Sequence, residues 1–255
     1  MILFKKTKNN TVAEIRDLTH LANLFETDKG TLIAAETTWG KTIWWKNNPI
    51  NLCWYYTETY ARYMEPFKDA PIKMMEIGIC DGRFPYASCK MWTGFFSNLD
   101  LYSVDNFWGA LIANKLQDIS ILNDTGVTFI YADQGSVEDW EEIKKNVPHD
   151  LDFLIEDGSH QPTHMMMSLY QSIDLIKSGG YYFMEDIQNP KVSRGWWGYD
   201  NASIAEQLQL SLTNGVLESS FLTTEMNSAV NNNFELIELI LDPSERNYLA
   251  VFRRK

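Results

Sequence analysis

The chain has 255 residues, a formal charge of −12 and 45% hydrophobic side chains, enough apolar surface for one large core, or one core plus a small N-terminal cap. Apart from the cluster Lys5, Lys6 and Lys8, the basic residues are scattered; no continuous stripe exists to neutralise phosphates, so nucleic acid is not an expected partner. Cys53, Cys80 and Cys89 are odd in number and form no C-x-x-C pair, which points to a reducing, cytoplasmic setting. MILFKKTKNN has no apolar signal core, and no run approaches the roughly 18 apolar residues of a membrane span.

In chain order, Val12–Glu26 and Tyr55–Pro66 read as helices, and the polar and aromatic segment Leu32–Asn51 between them reads as a cap or lid. From Ile72 onward, short apolar runs alternate with longer amphipathic stretches, the rhythm of a parallel sheet covered by helices on both faces. Strands are expected at Lys73–Ile77, Leu101–Val104, Val127–Tyr131, Leu151–Ile155 and Tyr181–Met184, and helices near Tyr86–Phe96, Ala110–Leu122, Val137–Asn146 and Thr163–Lys177. The Asn run at 231–233 reads as a solvated loop. FELIELILD (234–242) and NYLAVFRR (247–254) are strand-like, and the short turn through Pro243 forces them to pair antiparallel.

These elements define an α/β, Rossmann-like fold: a mainly parallel seven-stranded sheet with a C-terminal antiparallel hairpin and an N-terminal helical cap. That is the arrangement of class I methyltransferases, whereas a dinucleotide-binding dehydrogenase half would continue with parallel strands. The expected division is 1–70 for the cap and 71–255 for the catalytic domain. Aromatic side chains crowd WGKTIWW (39–45), NFWG (106–109) and RGWWGYD (194–200), where flat rings suit sugar or nucleobase faces or pack loops onto the core.

KMMEIGICDG ends the first strand with Glu76 and turns through Gly78 and Gly82, letting a ligand approach the backbone closely. The missing G-x-G-x-x-G fits a ligand without a pyrophosphate, such as S-adenosylmethionine, better than NAD. Asp105 ends the second strand in LYSVDN, where ribose hydroxyls need an acceptor. Asp133, with Gln134 beside it, ends the third strand and is a candidate for the adenine end of the crevice; its alternative is to cap the next helix, although Ser136 is better placed for that.

LDFLIEDGSH and GGYYFMEDI close two further strands on acids, bringing Asp157, Glu185 and Asp186 to the ligand-binding edge of the sheet. Clustered carboxylates require protonation, cationic partners or a metal. With no Lys or Arg flanking either motif, a hard divalent ion such as Mg2+ is the simplest counterion, the alternative being that individual acids cap helices. His160, beside Asp157, is a candidate general base for an alcohol. His160 and His164 also form an H-x-x-x-H pair, but Pro162 puts His160 ahead of the regular helix and no third soft ligand accompanies them.

Taken together, TDKGT (27–31), YTETY (56–60), EIGICDG (76–82), KMW with FF (90–96), SVDNF, DQGS (133–136), DGSH (157–160) and MEDI (184–187) resemble the macrocin and mycinamicin group of sugar O-methyltransferases. The resemblance implies S-adenosylmethionine as cofactor, a metal held by Asp157, Glu185 and Asp186, His160 as base, and a sugar hydroxyl as acceptor, on a nucleotide sugar or a glycosylated product. Competing readings are an NAD enzyme, a metal-dependent catechol-type O-methyltransferase, and a catalytically silent S-adenosylmethionine-binding protein. A homo-oligomer is compatible with the sequence, and no membrane partner is expected.

Overall fold

The computed structural model describes residues 16–25, 27–31, 44–45, 48–49, 55–79, 86–107, 126–191, 200–243 and 245–255. Its main sheet contains β1 (Pro71–Ile77), β2 (Asn98–Asp105), β3 (Thr128–Tyr131), β4 (Leu151–Glu156), β5 (Ile176–Gln188), β6 (Phe234–Leu241) and β7 (Asn247–Arg254). Across the sheet the order is β3-β2-β1-β4-β5-β7-β6. β7 runs antiparallel to β5 and β6, and the other pairings are parallel. The chain steps outward from β1 to β3, then returns to place β4 on the other side of β1. The crevice at the carboxyl ends of β1 and β4 is therefore a topological switch point, where open α/β sheets bind ligands.

Burial on both faces explains the nearly continuous apolar strands. Alternate residues of each strand enter opposite cores. Met74, Phe153, Ile155 and Phe183 pack with α1 (Leu18–Leu24), α2 (Tyr56–Met64) and α3 (Ala87–Phe95). Met75, Ile77, Leu154, Tyr182 and Met184 pack with α4 (Val137–Asn146), α5 (Pro162–Gln171), α6 (Ala202–Asn214) and α7 (Thr224–Asn233). Ser136 caps α4 by accepting the Asp139 N–H at 3.1 Å, as its position before an acidic first turn requires.

Three departures from the sequence reading have local causes. The helix expected to reach Lys177 ends at Gln171 and passes through a 3-10 turn, Ser172–Asp174, because Ile176 already pairs with Leu151 of β4. Two helices, α6 and α7, fill the stretch between Met184 and Phe234, for which the sequence reading has none. The Asn run is not a solvated loop: it forms the last turn of α7. Asn231 exchanges 2.8 Å hydrogen bonds with both backbone groups of Leu217, and Asn233 donates to the Ala229 carbonyl at 2.8 Å. Amide side chains thus hold a helix that presents only Val230 as a buried residue.

The expected helix Ala110–Leu122, Gly82, and the aromatic stretches 194–199 and 39–43 lie outside the described residues. Of the Leu32–Asn51 segment, a two-residue ribbon is described, Trp44–Trp45 pairing with Asn48–Pro49.

Candidate active site

The crevice begins where β1 ends. Gly78 has φ +84°, and a Cβ there would lie 1.9 Å from the Asp157 carbonyl oxygen, so only glycine lets the β1 turn pass the end of β4. Beside it, Asp105 accepts the Ile79 N–H at 2.9 Å and also the Phe107 N–H, holding its carboxylate across the mouth between β1 and β2. Glu76 is fully buried, with one oxygen accepting from Ser88 at 2.9 Å and the other, Oε1, without a hydrogen-bond partner among the described residues. Burial raises its pKa to about 7, although Lys29 pulls the other way.

Asp133 accepts the Gly135 N–H at 2.8 Å, while Gln134 is buried under the DGSH loop. The Gln134 amide donates to Glu156 at 2.8 Å and accepts the Ser159 N–H at 2.7 Å. A Cβ on Gly158 would collide with this amide at 1.6 Å. The structure thus gives Gln134 a positioning task beneath residues 157–160.

Across the crevice lie the acids. Neighbouring residues of a regular strand point to opposite faces, so Glu185 and Asp186 need a local break to converge. They have one: the β5–β7 register shifts between Met184 and Ile187, and Asp186 adopts φ +54°, the re-aiming that a bulge provides. Asn201 secures the result by donating to the Asp186 carbonyl at 3.0 Å and to the His160 carbonyl at 3.1 Å.

The counterion missing near either acidic motif comes from a residue 128 positions away. Lys29, only 1% exposed, donates to Asp157 Oδ2 and, at 2.8 Å, to Glu185 Oε2, and stands 3.9 Å from Glu76. Burial alone would lower the ammonium pKa, but Asp157, Glu185 and Glu76 drive it well above its usual value. Tyr56 and Tyr60, four residues apart on one face of α2, bind the β5 acids. Tyr60 donates to Glu185 Oε1, and Tyr56 to Asp186 Oδ1 at 2.8 Å. Asn247 also reaches Asp186 Oδ1, at 3.2 Å.

Glu185 therefore has both oxygens engaged by protein donors. Asp157 Oδ1 and Asp186 Oδ2 accept no hydrogen bond among the described residues, and His160 Nε2 stands 3.8 Å from Asp186 Oδ2. One ligand atom each from Asp157, His160 and Asp186 falls within 4.8 Å of the others. Burial raises the pKa of all three carboxylates, with Lys29 and His160 pulling back. Buried carboxylates clustered in this way are stabilised by protonation, by cationic partners or by a metal. His164 turns elsewhere, its Nδ1 2.9 Å from the Ser159 hydroxyl, so the two histidines do not form a shared metal pair.

Lys29, Tyr56 and Tyr60 were missed as site residues, although TDKGT and YTETY are the strings that contain them. Asn201 and Asn247 carry no sequence signal at all.

This sheet order, with its hairpin and its crevice at the switch point, is the class I methyltransferase fold. No family model matches the chain. A solved structure of the MycE methyltransferase of the mycinamycin pathway, in complex with Mg and SAH, shares the fold at TM-score 0.62 and 20% identity over 93% of this chain and 54% of that one. Among curated proteins, the chain is similar to the mycinamicin VI 2''-O-methyltransferase of Micromonospora griseorubida, 25% identical over 52% of this chain and 31% of that protein. It is also similar to the L-olivosyl-oleandolide 3-O-methyltransferase of Streptomyces antibioticus, 26% identical over 82% of this chain and 47% of that protein. A third relative is the 8-demethyl-8-alpha-L-rhamnosyl tetracenomycin-C 2'-O-methyltransferase of Streptomyces olivaceus, 28% identical over 52% of this chain and 33% of that protein. The chain spans between 31% and 47% of the length of these three curated relatives.

Proposed function

We propose that the chain is an S-adenosylmethionine-dependent O-methyltransferase that methylates a hydroxyl of a sugar, on a glycosylated natural product or a nucleotide sugar, with the help of a divalent metal. The observation that carries the reading is the convergence of Asp157, His160 and Asp186 within 4.8 Å, at the carboxyl edge that also bears Glu76, Gly78 and Asp105. The three curated relatives named above are O-methyltransferases, two of them with rhamnosyl or olivosyl in the names of their substrates.

In this reading Asp105 accepts the ribose hydroxyls, and Glu76 Oε1, 3.9 Å from Lys29 and without a hydrogen bond among the described residues, accepts the cofactor's ammonium. Gly78 brings the β1 turn to the crevice, and Asp133 with Gln134 shapes its far end. The free oxygens of Asp157 and Asp186 suit a hard ion such as Mg2+, and Glu185 joins them wherever Lys29 yields an oxygen. An ion held there would supply Lewis-acid activation of an alcohol. His160 Nε2, facing Asp186, would take the proton of the acceptor hydroxyl. No described helix is long and apolar enough to cross a membrane, and we assign the chain to the cytoplasm on its cysteine pattern.

The test is a methyl-transfer screen against rhamnosyl and deoxysugar glycosides and nucleotide sugars, read by mass spectrometry, with calorimetry for S-adenosylhomocysteine. Turnover should need Mg2+ and fail in EDTA, and His160→Ala should lower kcat by about 100- to 10,000-fold with cofactor affinity retained. NAD binding without S-adenosylhomocysteine binding overturns the cofactor. Full activity in EDTA, or a His160→Ala enzyme above about a tenth of wild-type kcat, overturns the corresponding role.

A further inference from the structure

Three buried polar atoms on the α5 side of the sheet have no hydrogen-bond partner among the described residues: Glu156 Oε2, His160 Nδ1 and the Tyr182 hydroxyl. Their placement is systematic. Glu156 pairs with Met184 and Leu154 with Tyr182 across β4 and β5, so Glu156 and Tyr182 are diagonal neighbours on one face. His160 sits in the loop immediately before α5, the helix that covers that face. Glu156 is fully buried, and its other oxygen accepts from Gln134 at 2.8 Å and from the Gly158 N–H at 3.3 Å. Burial raises its pKa to about 7, with Gln134 and then the nearby His160 pulling it down.

Leaving a carboxylate oxygen and an imidazole nitrogen unpaired in the same buried region costs more than joining them. We propose that Glu156 is a positioning residue for His160: one buried water accepts the Nδ1–H of the imidazole and donates to Glu156 Oε2 and to the Tyr182 hydroxyl oxygen. A buried bridging water needs at least two polar partners, and these three groups supply them. The bond fixes the tautomer in which Nε2, the atom facing Asp186, is free to accept a proton. The positive φ of His160, +55°, and the Asn201 bond to its carbonyl hold the ring's backbone in place for this contact. The assignment rests on the reading of His160 as the base.

The experiment is nitrogen-15 NMR of the histidine-labelled full chain at a pH where the ring is neutral. His160 is identified among the four histidines by its loss in His160→Gln. Wild type should show mainly the Nδ1–H tautomer. In Glu156→Gln, whose amide can donate as well as accept, the tautomer ratio should change by at least about tenfold, the equivalent of one ordinary hydrogen bond. Binding of S-adenosylhomocysteine confirms that the variant is folded. A wild-type Nε2–H tautomer overturns the proposal whatever the variant does, and so does an unchanged ratio in folded Glu156→Gln. The readout is independent of turnover: if His160→Ala stays active, the base assignment falls while the Glu156 contact is still decided by the spectrum.

Discussion

Lys29→Met removes one charge while keeping nearly the same volume, and so isolates what the buried ammonium does. Lys29 is 1% exposed, lies 2.8 Å from Glu185, and also bonds Asp157. Breaking a buried ion pair by deleting one partner costs about 3–5 kcal/mol, more than an exposed pair by several-fold and within what a domain of ordinary stability survives. The deficit should depend on pH. Burial raises the pKa of Glu185, Asp157 and Asp186 even with Lys29 present. A carboxylate with a raised folded-state pKa contributes stability below its usual titration range and loses it as pH rises through the folded value. Without Lys29 those values climb further, so the variant should be weakest near pH 8 and recover toward pH 5.5. Urea denaturation of wild type and variant at both pH values measures this. Adding Glu185→Gln to Lys29→Met should restore about 2 kcal/mol or more, because the orphaned charge is then gone. A deficit below about 1 kcal/mol at pH 8, unchanged at pH 5.5 and unaffected by the second substitution, refutes the assignment of Lys29 as the internal counterion.

Two further outcomes follow from the β1 end of the crevice. Glu76 is raised from the usual 4.5 to about 7 by burial, so its stabilising contribution is present below about pH 4.5 and is lost as pH rises through about 7. At about 1.4 kcal/mol per pH unit, Glu76→Gln should gain up to roughly 3 kcal/mol over wild type at pH 8 and nothing at pH 4.5, while S-adenosylhomocysteine affinity falls; equal denaturation midpoints at both pH values sink this. Gly78→Ala places a methyl group 1.9 Å from the Asp157 carbonyl at φ +84° and should lower stability by at least about 2 kcal/mol and abolish cofactor binding, whereas wild-type Tm and affinity in that variant contradict the close approach.

The sheet was legible because its strands are apolar on both faces and end on glycine or acid, as in KMMEIG and LDFLIED. Val137–Asn146 and Asn247–Arg254 match their expected bounds for local reasons: the helix has a serine cap and an acidic first turn, and the strand has the apolar run Tyr248–Phe252 at its centre. The helices α6 and α7 were not legible, since α7 buries only Val230 and is held by asparagine amides that composition reads as loop. Within the site, Asp157, His160 and Asp186 come together as their strand-end positions imply. The lysine that neutralises them could not be read from spacing, because ion pairing between residues 29 and 157 is a product of topology. The convergence of Glu185 with Asp186 has the same character: adjacent strand residues diverge, and the bulge that reunites them has no glycine to announce it.

The division of labour among the three acids follows from which oxygens the protein has already engaged. Glu185 has a donor on each oxygen, Lys29 on one and Tyr60 on the other, so its charge is largely matched inside the fold. Asp186 has Tyr56 and Asn247 on Oδ1, both neutral donors, and Asp157 shares Lys29 with Glu185. Lys29 thus serves Asp157, Glu185 and Glu76, while Asp186, whose Oδ2 lies 3.8 Å from His160 Nε2, pairs with no lysine among the described residues, so the acids outnumber the cation. Protons could supply that difference, but a protonated acid beside the proposed base would offer His160 a donor where it needs to accept. A divalent cation neutralises the same charge without a proton, and oxygen donors select a hard one. In the proposed reading the internal lysine leaves room for one such ion, and removing Lys29 should then disturb the preference for a divalent cation as well as the stability of the fold.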